Sequence, residues 1–318
     1  MPWLTPQPAR DHGGGLAAAI TRFGGTPADW MDLSTGINPV PYPVPDLSGG
    51  AWTRLPDQDT STQLTQQARA FWNVPPDADV LAAPGASALI AQVPRLFTAG
   101  NVRISSPTYN EHAAAFRFHG WHVTEAGPAD AVVVVNPNNP DGRFWSEADM
   151  DAGLVVIDES FCDVAPSASL VHLAARPGVI ILKSFGKFWG LAGLRLGFAI
   201  GDPKSMAALA EMLGPWPVSG PALEIGTLAL QDRQWAERTR TDLQVGRAQL
   251  DSLMVRKGAS VSGGTSLFGL YSVDNAESWQ DRLAHHHIWT RVFPYSDTLL
   301  RLGLPANAED RSRLEAAL

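Results

Sequence analysis

Cysteine is nearly absent from this chain, which has a single one, Cys162, in 318 residues. An internal disulfide and a metal site built from several cysteines are therefore excluded. No apolar run approaches the roughly 20 residues that span a bilayer, so no membrane attachment is expected. A basic segment followed by an apolar one, which would predict secretion, is also missing at the N-terminus. We therefore expect a cytoplasmic protein.

Positive charge is scarce as well. The formal net charge is -8, and no basic cluster exists beyond Arg238 and Arg240, so a nucleic-acid partner is not expected. An anionic small molecule remains possible, because it needs only a local pocket of donors. The run His285 to His287 lacks the spacing usual for metal ligands, and we interpret it as a solvated polar run. No metal is expected.

Two nucleotide-binding motifs are missing. No Gly-x-Gly-x-x-Gly follows an early strand, and Gly186-Lys187 is followed by Phe188 where a P-loop needs serine or threonine. These absences argue against a nicotinamide dehydrogenase and a P-loop enzyme. The chain shows no internal repeat, and its 45% hydrophobic residues are enough for one large domain with a smaller companion.

The most informative stretch is the segment from Ser184 to Arg195. It follows Val179-Ile-Ile-Leu182, an apolar run that suits a strand buried on both faces of a parallel sheet. Lys187 then lies just past the carboxyl end of the strand, where ligands bind in open α/β sheets. A partly desolvated lysine there has a lowered pKa and can form a Schiff base. The alternative is a solvated loop lysine.

Polar side chains follow the carboxyl ends of successive predicted strands. The strands are expected near residues 102–105, 130–135, 154–157 and 179–182, and Tyr109, Asn139, Asp158 and Lys187 come after them in turn. Because these strand ends meet at one edge of a sheet, the four side chains indicate a single site.

The four residues suit a planar pyridine aldehyde. Such a cofactor needs a lysine for its carbonyl, a ring to stack on, a donor for its phenolic oxygen and a carboxylate for its ring nitrogen. Its phosphate needs donors, which the turn Gly85-Ala86-Ser87, Ser184 and the forked guanidinium of Arg195 could supply. A plain helix start is the alternative for residues 85–87.

At four motifs the chain resembles the pyridoxal 5'-phosphate-dependent aminotransferases of fold type I, class I/II. The motifs are Asn139-Pro-Asp-Gly142, Asp158-Glu-Ser-Phe161, Ser184-Phe-Gly-Lys187 and Gly193-Leu-Arg195. The resemblance implies an α/β fold with a mostly parallel central sheet sandwiched by helices and a smaller α+β C-terminal domain. It divides the chain into an N-terminal arm packing on the small domain (1–35), a large cofactor-binding domain (36–205), and a connecting helix with the small domain (206–318).

The resemblance also implies roles for individual residues. Lys187 is expected to be the catalytic Schiff-base lysine, Asp158 the partner of the pyridine nitrogen and Tyr109 the stacking ring. Asn139 is expected to donate to the ring hydroxyl and to contact the substrate. The phosphate is expected to bind Ser184, Arg195 and the turn Gly85, Ala86, Ser87. Arg301 is expected to bind the substrate α-carboxylate, with His12, Ser34 and Asn38 as further substrate donors.

Within the family, His12-Gly-Gly and Leu33-Ser-Thr-Gly-Ile-Asn-Pro39 are similar to a branch that decarboxylates a phosphorylated amino acid in cobalamin biosynthesis. The alternative is an aminotransferase acting on a phosphorylated amino acid or amino alcohol, such as histidinol phosphate. A ligand-sensing relative is less well supported, because this chain keeps Lys187 and has no room for a DNA-binding domain. Family members are usually homodimers. Leu55 stands where relatives often have a tyrosine that reaches the partner's cofactor, so one cross-subunit bond is expected to be missing.

Overall fold

A computed structural model of the chain describes residues 12–318, so residues 1–11 of the predicted N-terminal arm lie outside the described residues. The helices are α1 (Leu16–Phe23), α2 (Gly49–Thr53), α3 (Gln58–Phe71), α4 (Ala86–Gln92), α5 (Asn110–Phe118), α6 (Pro203–Leu213), α7 (Gly220–Gln231), α8 (Arg233–Arg256), α9 (Ala276–Ala284) and α10 (Ala308–Ala317).

The strands are β1 (Met31–Asp32), β2 (Asp79–Ala83), β3 (Asn101–Arg103), β4 (His122–Thr124), β5 (Ala131–Val135), β6 (Leu154–Asp158), β7 (Val179–Ser184), β8 (Gly197–Gly201), β9 (Ser260–Thr265), β10 (Phe268–Ser272), β11 (Ile288–Trp289), β12 (Arg291–Phe293) and β13 (Ser296–Gly303).

The main sheet has seven strands in the order β2-β8-β7-β6-β5-β3-β4. The strands from β4 to β7 pair in parallel, whereas β8 runs antiparallel to both β7 and β2. Parallel sheets need cover on both faces, and the apolar runs predicted for β5, β6 and β7 meet this need because all their residues except Ser184 are buried. The fold class expected from the sequence is confirmed.

Alternate residues of the central strands enter two different hydrophobic clusters. Val155 and Ile157 of β6 pack in one cluster, and Leu154 and Val156 pack in the other. This alternation follows from the period of two along a strand. Both faces of the sheet are therefore covered, which fixes the strand register and leaves the carboxyl edge as the place for polar side chains.

The C-terminal part contains a four-stranded antiparallel sheet in the order β12-β13-β10-β9. The N-terminal segment packs against this part, because β1 pairs in parallel with β11 and the Leu33 amide donates to the Trp289 carbonyl. Ala19 and Trp30 share a small apolar cluster with Ala284 of α9. The segment from residue 12 therefore reaches the C-terminal sheet before the chain enters the main sheet.

One helix predicted from the sequence is in fact two. The sequence favours a continuous helix from Leu223 to Arg247, but α7 and α8 are separated at Asp232. Asp232 takes a non-helical conformation with ψ 73°, and its carboxylate accepts a hydrogen bond from the Trp235 amide. An aspartate whose side chain caps the next helix stabilises a new helix start, so the expectation of one helix was wrong. None of the helices in residues 12–318 combines the length and apolarity that a bilayer crossing requires.

Candidate active site

The carboxyl ends of β5, β6 and β7 meet at one edge of the main sheet and open into two adjoining cavities. The smaller cavity has a volume of about 120 Å³ and the larger one about 750 Å³. Both are lined by Tyr109, Asn139, Phe161 and Lys187, so these four side chains form the boundary between them. The sheet therefore brings the predicted side chains together as one two-compartment site.

Asp158 lies in the wall of the smaller compartment, at the end of β6. Its Oδ2 atom is 2.8 Å from His112 Nε2, and its Oδ1 atom accepts hydrogen bonds from the hydroxyl and the amide of Ser160. Burial by itself raises the pKa of Asp158, but the hydrogen bonds from His112 and Ser160 outweigh it and hold the pKa below the usual value. Asp158 is therefore a buried, ionised carboxylate.

Lys187 follows β7 in the loop that separates β7 from β8. Its ammonium lies 5.3 Å from the centre of the Phe161 ring. Burial lowers the pKa of Lys187 to about 8; the positive charges of Arg301 and Arg195 act in the same direction, and Asp158 opposes them. A lysine with this pKa is partly neutral near neutral pH, so its nitrogen can act as a nucleophile or exchange a proton.

The smaller compartment is also lined by hydroxyl, amide and guanidinium donors. Ser87 and Ser184 line it together with Arg195, whose Nη1 donates to the Ala192 carbonyl over 2.9 Å. Gly85 has φ +86°, and a Cβ atom there would lie 2.6 Å from Arg195 Nη2. The bare backbone at Gly85 thus leaves room for the guanidinium beside the start of α4, where Ala86 also faces the compartment.

Arg301 lies in the larger compartment, on β13. Its Nη1 donates to Asn139 Oδ1 and its Nη2 to the Ser34 carbonyl, whereas its buried Nε has no hydrogen-bond partner among residues 12–318. Burial lowers the pKa of Arg301 to about 10, and the neighbouring charge of Arg291 contributes. A buried guanidinium with an unsatisfied donor suits an incoming carboxylate, which accepts two hydrogen bonds side by side.

The N-terminal segment covers part of the larger compartment. His12 lines this cavity, and its Nε2 lies 2.7 Å from Glu111 Oε1. Ser34 contributes differently from the expectation, because its hydroxyl donates to Asp32 and accepts from the Gly14 amide. The carbonyl of Ser34, which accepts from Arg301, is the group that reaches the site.

Asn38 does not line either cavity. Its side-chain amide donates to the Phe188 carbonyl over 2.9 Å and accepts from the Val40 amide, while its own amide donates to the Lys187 carbonyl. All of these polar groups of Asn38 are hydrogen-bonded to backbone atoms. Asn38 thus fastens the segment after Thr35 to the loop that carries Lys187, and a role of Asn38 as a substrate donor stays a prediction.

Three site residues were missed in the sequence analysis. His112 and Ser160 bind Asp158, and Phe161 lies between the compartments. A sequence signal existed for the first two. His112 follows Tyr109 by three residues, about one helical turn, and Asp-x-Ser favours a side-chain turn in which the aspartate accepts from the serine.

The run of histidines lies elsewhere, after α9. The rings of His285 and His287 pack on Phe23 and Trp30 with centroid distances of 5.2 and 5.0 Å. Within residues 12–318 no group of three side chains is arranged to hold a metal ion.

The smaller compartment fits pyridoxal phosphate in its donor set. Its lining combines a buried ionised carboxylate, a lysine of lowered pKa at the border with the larger compartment, and two hydroxyls with a guanidinium. The carboxylate can pair with a ring nitrogen, the lysine can bond to an aldehyde, and the hydroxyls with the guanidinium can bind a phosphate. The close approach of Gly85 and Arg195 is the kind of bare-backbone contact that an anion cradle uses.

The fold and this site define an enzyme that uses pyridoxal phosphate. The family model for aminotransferase class I and II matches residues 28–127 and 122–317, and the chain belongs to this family. Two threonine-phosphate decarboxylases, from Pseudomonas aeruginosa and a Sinorhizobium species, are 41% and 40% identical to it. The matches cover 97% and 96% of this chain and 97% of each relative.

A solved structure shows the same fold. Histidinol-phosphate aminotransferase from Sinorhizobium meliloti, in complex with pyridoxal 5'-phosphate, superposes with a TM-score of 0.80 at 19% identity. The match covers 100% of this chain and 94% of that one. At this identity the likeness concerns the fold, and it confirms the fold type I architecture expected from the motifs.

Proposed function

We propose that this protein decarboxylates O-phospho-L-threonine to 1-aminopropan-2-ol phosphate, with pyridoxal phosphate as cofactor. The proposal is supported by the two threonine-phosphate decarboxylases that match nearly the whole chain. The product is the amino-alcohol part of the cobalamin side chain, in keeping with the resemblance of the N-terminal motifs.

The observation that carries the proposal is the charge of the larger compartment. Its lining contains three arginines, Arg117, Arg291 and Arg301, together with Lys187 and His12, against one carboxylate, that of Glu125. An ordinary amino acid presents one carboxylate there, whereas a phosphorylated one presents a carboxylate and a phosphate. Arg301, whose buried Nε has no hydrogen-bond partner among residues 12–318, would bind the carboxylate. Arg291 and His12 would bind the phosphate.

The smaller compartment would hold the cofactor. Lys187 is the group for its aldehyde, Asp158 for its ring nitrogen, and Tyr109 for the face of its ring. Asn139, which already accepts from Arg301, also stands at the border where the ring hydroxyl and the substrate meet. The phosphate would be held by Ala86, Ser87, Ser184 and Arg195, which line this compartment, and by Gly85, which lies beside the Arg195 guanidinium.

When bound, pyridoxal phosphate supplies a carbonyl for the substrate amine and a ring that withdraws electrons from Cα. The bond between Cα and the carboxylate breaks, carbon dioxide leaves, and Cα takes up a proton. Lys187 Nζ is the group placed to give that proton, because its lowered pKa leaves it easily protonated and deprotonated near neutral pH. Arg301 fixes the carboxylate and so helps to decide which bond to Cα is weakened.

The alternative function is transamination of a phosphorylated amino acid or amino alcohol. The same residues would bind cofactor and substrate, but Lys187 would then remove the proton from Cα instead of delivering one. The shared fold with a histidinol-phosphate aminotransferase keeps this alternative open. The orientation of the substrate on Arg301 and Arg291 decides between the two reactions.

Product analysis separates the two functions. We expect the purified protein with pyridoxal phosphate to release one carbon dioxide for each O-phospho-L-threonine consumed, without any 2-oxo acid in the reaction. L-Threonine is the matched control, and we expect it to react at least about tenfold less efficiently because it leaves the phosphate-binding donors unpaired. Turnover that requires a 2-oxo acid and releases no carbon dioxide would assign the protein to the aminotransferases.

We also propose a homodimer. Several large apolar side chains are exposed in the segments before, within and after α2 and before α7, including Val40, Val44, Trp52, Leu55 and Trp216, of which Trp52 is 71% exposed. Exposed apolar side chains concentrated in a few segments indicate a protein contact. We expect sedimentation analysis to give twice the chain mass for the native protein and the chain mass for Trp52→Glu. A native protein that sediments as a monomer at micromolar concentration would contradict the dimer.

The division into an arm (1–35), a large domain (36–205) and a small C-terminal domain (206–318) stays a proposal. It is supported by the pairing of β1 with β11 and by the separate antiparallel sheet of the C-terminal part. The cytoplasmic location likewise stays a prediction from the sequence.

A further inference from the structure

A loop of the main sheet and a hairpin of the C-terminal sheet meet backbone to backbone beside the active site. The loop is residues 138–142, after β5, and the hairpin segment is residues 263–268, which comprise the end of β9, the turn and the first residue of β10. The Gly264 amide donates to the Asp141 carbonyl over 2.7 Å. A Cβ atom at Gly142 would lie 1.9 Å from the Gly264 oxygen, and one at Gly263 would lie 2.3 Å from the Asp141 oxygen. Only glycine permits this contact.

Arg247 of α8 holds the hairpin side of the contact. Its Nη1 donates to the carbonyls of Thr265 and Phe268, both over 2.6 Å, and its Nη2 donates to the Gly263 carbonyl over 2.8 Å. Its Nε donates to Asp251 over 2.8 Å, which fixes the guanidinium on the helix. One side chain thus binds three carbonyls of a turn whose glycines have few conformational restraints of their own.

The loop side of the contact is equally well held. Asn138 is fully buried; its carbonyl accepts from the Gly142 amide, and its side-chain amide donates to Asp141 Oδ1, both over 2.8 Å. Its Oδ1 accepts from the Thr108 hydroxyl over 2.6 Å. Asp141 is therefore rigidly linked to the segment that carries Tyr109, and a shift of the hairpin is passed to the site through the loop.

Two groups of the substrate compartment depend on this contact. Asn139 lies in the loop, and Arg301 lies on β13, which pairs directly with β10 through Leu270. Arg301 donates to Asn139 Oδ1, so the hairpin and the loop must stay in register for this bond to form.

We propose that Arg247 is a positioning residue for substrate binding: by holding the β9–β10 turn against residues 138–142 it sets Asn139 and Arg301 to receive the substrate carboxylate. The substrate part of this inference rests on the proposed function. Arg247 lines neither cavity, and of the groups that it positions only Asn139 also lines the smaller compartment. Its loss should therefore weaken substrate binding more than cofactor binding.

The test is Arg247→Gln in the full chain. A displacement of about 1 Å in a binding group can cost up to about 100-fold, and we expect KM for O-phospho-L-threonine to rise about tenfold. The dissociation constant of pyridoxal phosphate should rise less than KM does, by about twofold or less, because Asn139 is the only displaced group that also faces the cofactor. In the cofactor-free Arg247→Gln variant, the peptide containing Gly264 should exchange its amide hydrogens faster than in the cofactor-free native protein. Arg247→Lys keeps the charge and part of the donor set, so its KM should lie between that of Arg247→Gln and that of the native protein.

The control is Arg256→Gln, on the same helix, whose exposed guanidinium pairs with Glu315. It should leave KM, cofactor affinity and Gly264 exchange unchanged. Gly263→Ala tests the contact while the Arg247 side chain is kept, because the added Cβ pushes on the Asp141 carbonyl, and it should raise KM in the same way. The exchange and cofactor measurements need no turnover, so they report on the contact even if the native protein releases no carbon dioxide. The proposal would be overturned if Arg247→Gln left KM unchanged while Gly264 exchanged faster. It would also be overturned if Arg247→Gln weakened substrate and cofactor binding equally.

Discussion

Lys187→Ala is expected to lower kcat for carbon dioxide release by at least about 10³-fold, because it removes both the covalent anchor of the cofactor and the proton donor to Cα. The lowered pKa of about 8 is what makes this lysine suited to both tasks, and among residues 12–318 no other lysine lines either cavity. Carbon dioxide release at saturating substrate measures the effect. The visible absorption that pyridoxal phosphate gains on binding the native protein should be lost in the same variant.

The matched control is Lys204→Ala, which changes an exposed lysine at the start of α6 and should leave kcat unchanged. The thermal unfolding of both variants should resemble that of the native protein. A Lys187→Ala variant that keeps more than about a tenth of the native kcat would remove Lys187 from the mechanism, since a lost acid–base group alone costs about 10²–10⁴-fold.

Asp158→Asn is expected to lower kcat by about 10²–10³-fold, the usual cost of removing one preorganised electrostatic group from an active site. The substitution keeps the shape of the side chain and can keep the hydrogen bonds from Ser160. It removes the negative charge that favours a protonated ring nitrogen. Because His112 and Ser160 hold the pKa of Asp158 below its usual value, the native charge is present throughout the neutral range.

Steady-state kinetics of Asp158→Asn should show the loss in kcat more than in KM, because the charge acts on the breaking bond and does not touch the substrate carboxylate. Asp151→Asn, an exposed change before β6, is the control and should behave as native. If Asp158→Asn retained native kcat, the ring nitrogen would not need the carboxylate and the assigned orientation of the cofactor would be wrong.

Much of this site could be predicted from local sequence. The apolar runs of β5, β6 and β7 are unbroken because both faces of a parallel sheet are buried, so the strands and their carboxyl ends were recognisable. The residues placed after those ends, Asn139, Asp158 and Lys187, line the same cavity as expected. Their roles toward cofactor and substrate stay predictions until the variants are measured.

Other features could not be predicted from local sequence. Asn38 has the residue type of a substrate donor, yet the tertiary structure uses its amide to bind the backbone at Phe188. Asp232 interrupts an apparently continuous helix, because its side chain caps the next one. Arg247 looks like one of several helix-surface arginines in the sequence, and its three carbonyl partners become visible only when β9 and β10 fold against α8.

The sequence by itself determined the α/β class, the family and the residues at the strand ends, because these depend on apolar periodicity and on short motifs of adjacent residues. The tertiary structure alone decided which groups surround them. Arg301 reaches Asn139 across 162 residues of chain, and His112 reaches Asp158 across 46. Such contacts depend on how whole sheets and helices pack, and packing is a property of many distant residues together. The lowered pKa of Lys187 follows from that packing, and the lowered pKa of Asp158 follows from its packing with His112 together with Ser160 of its own motif.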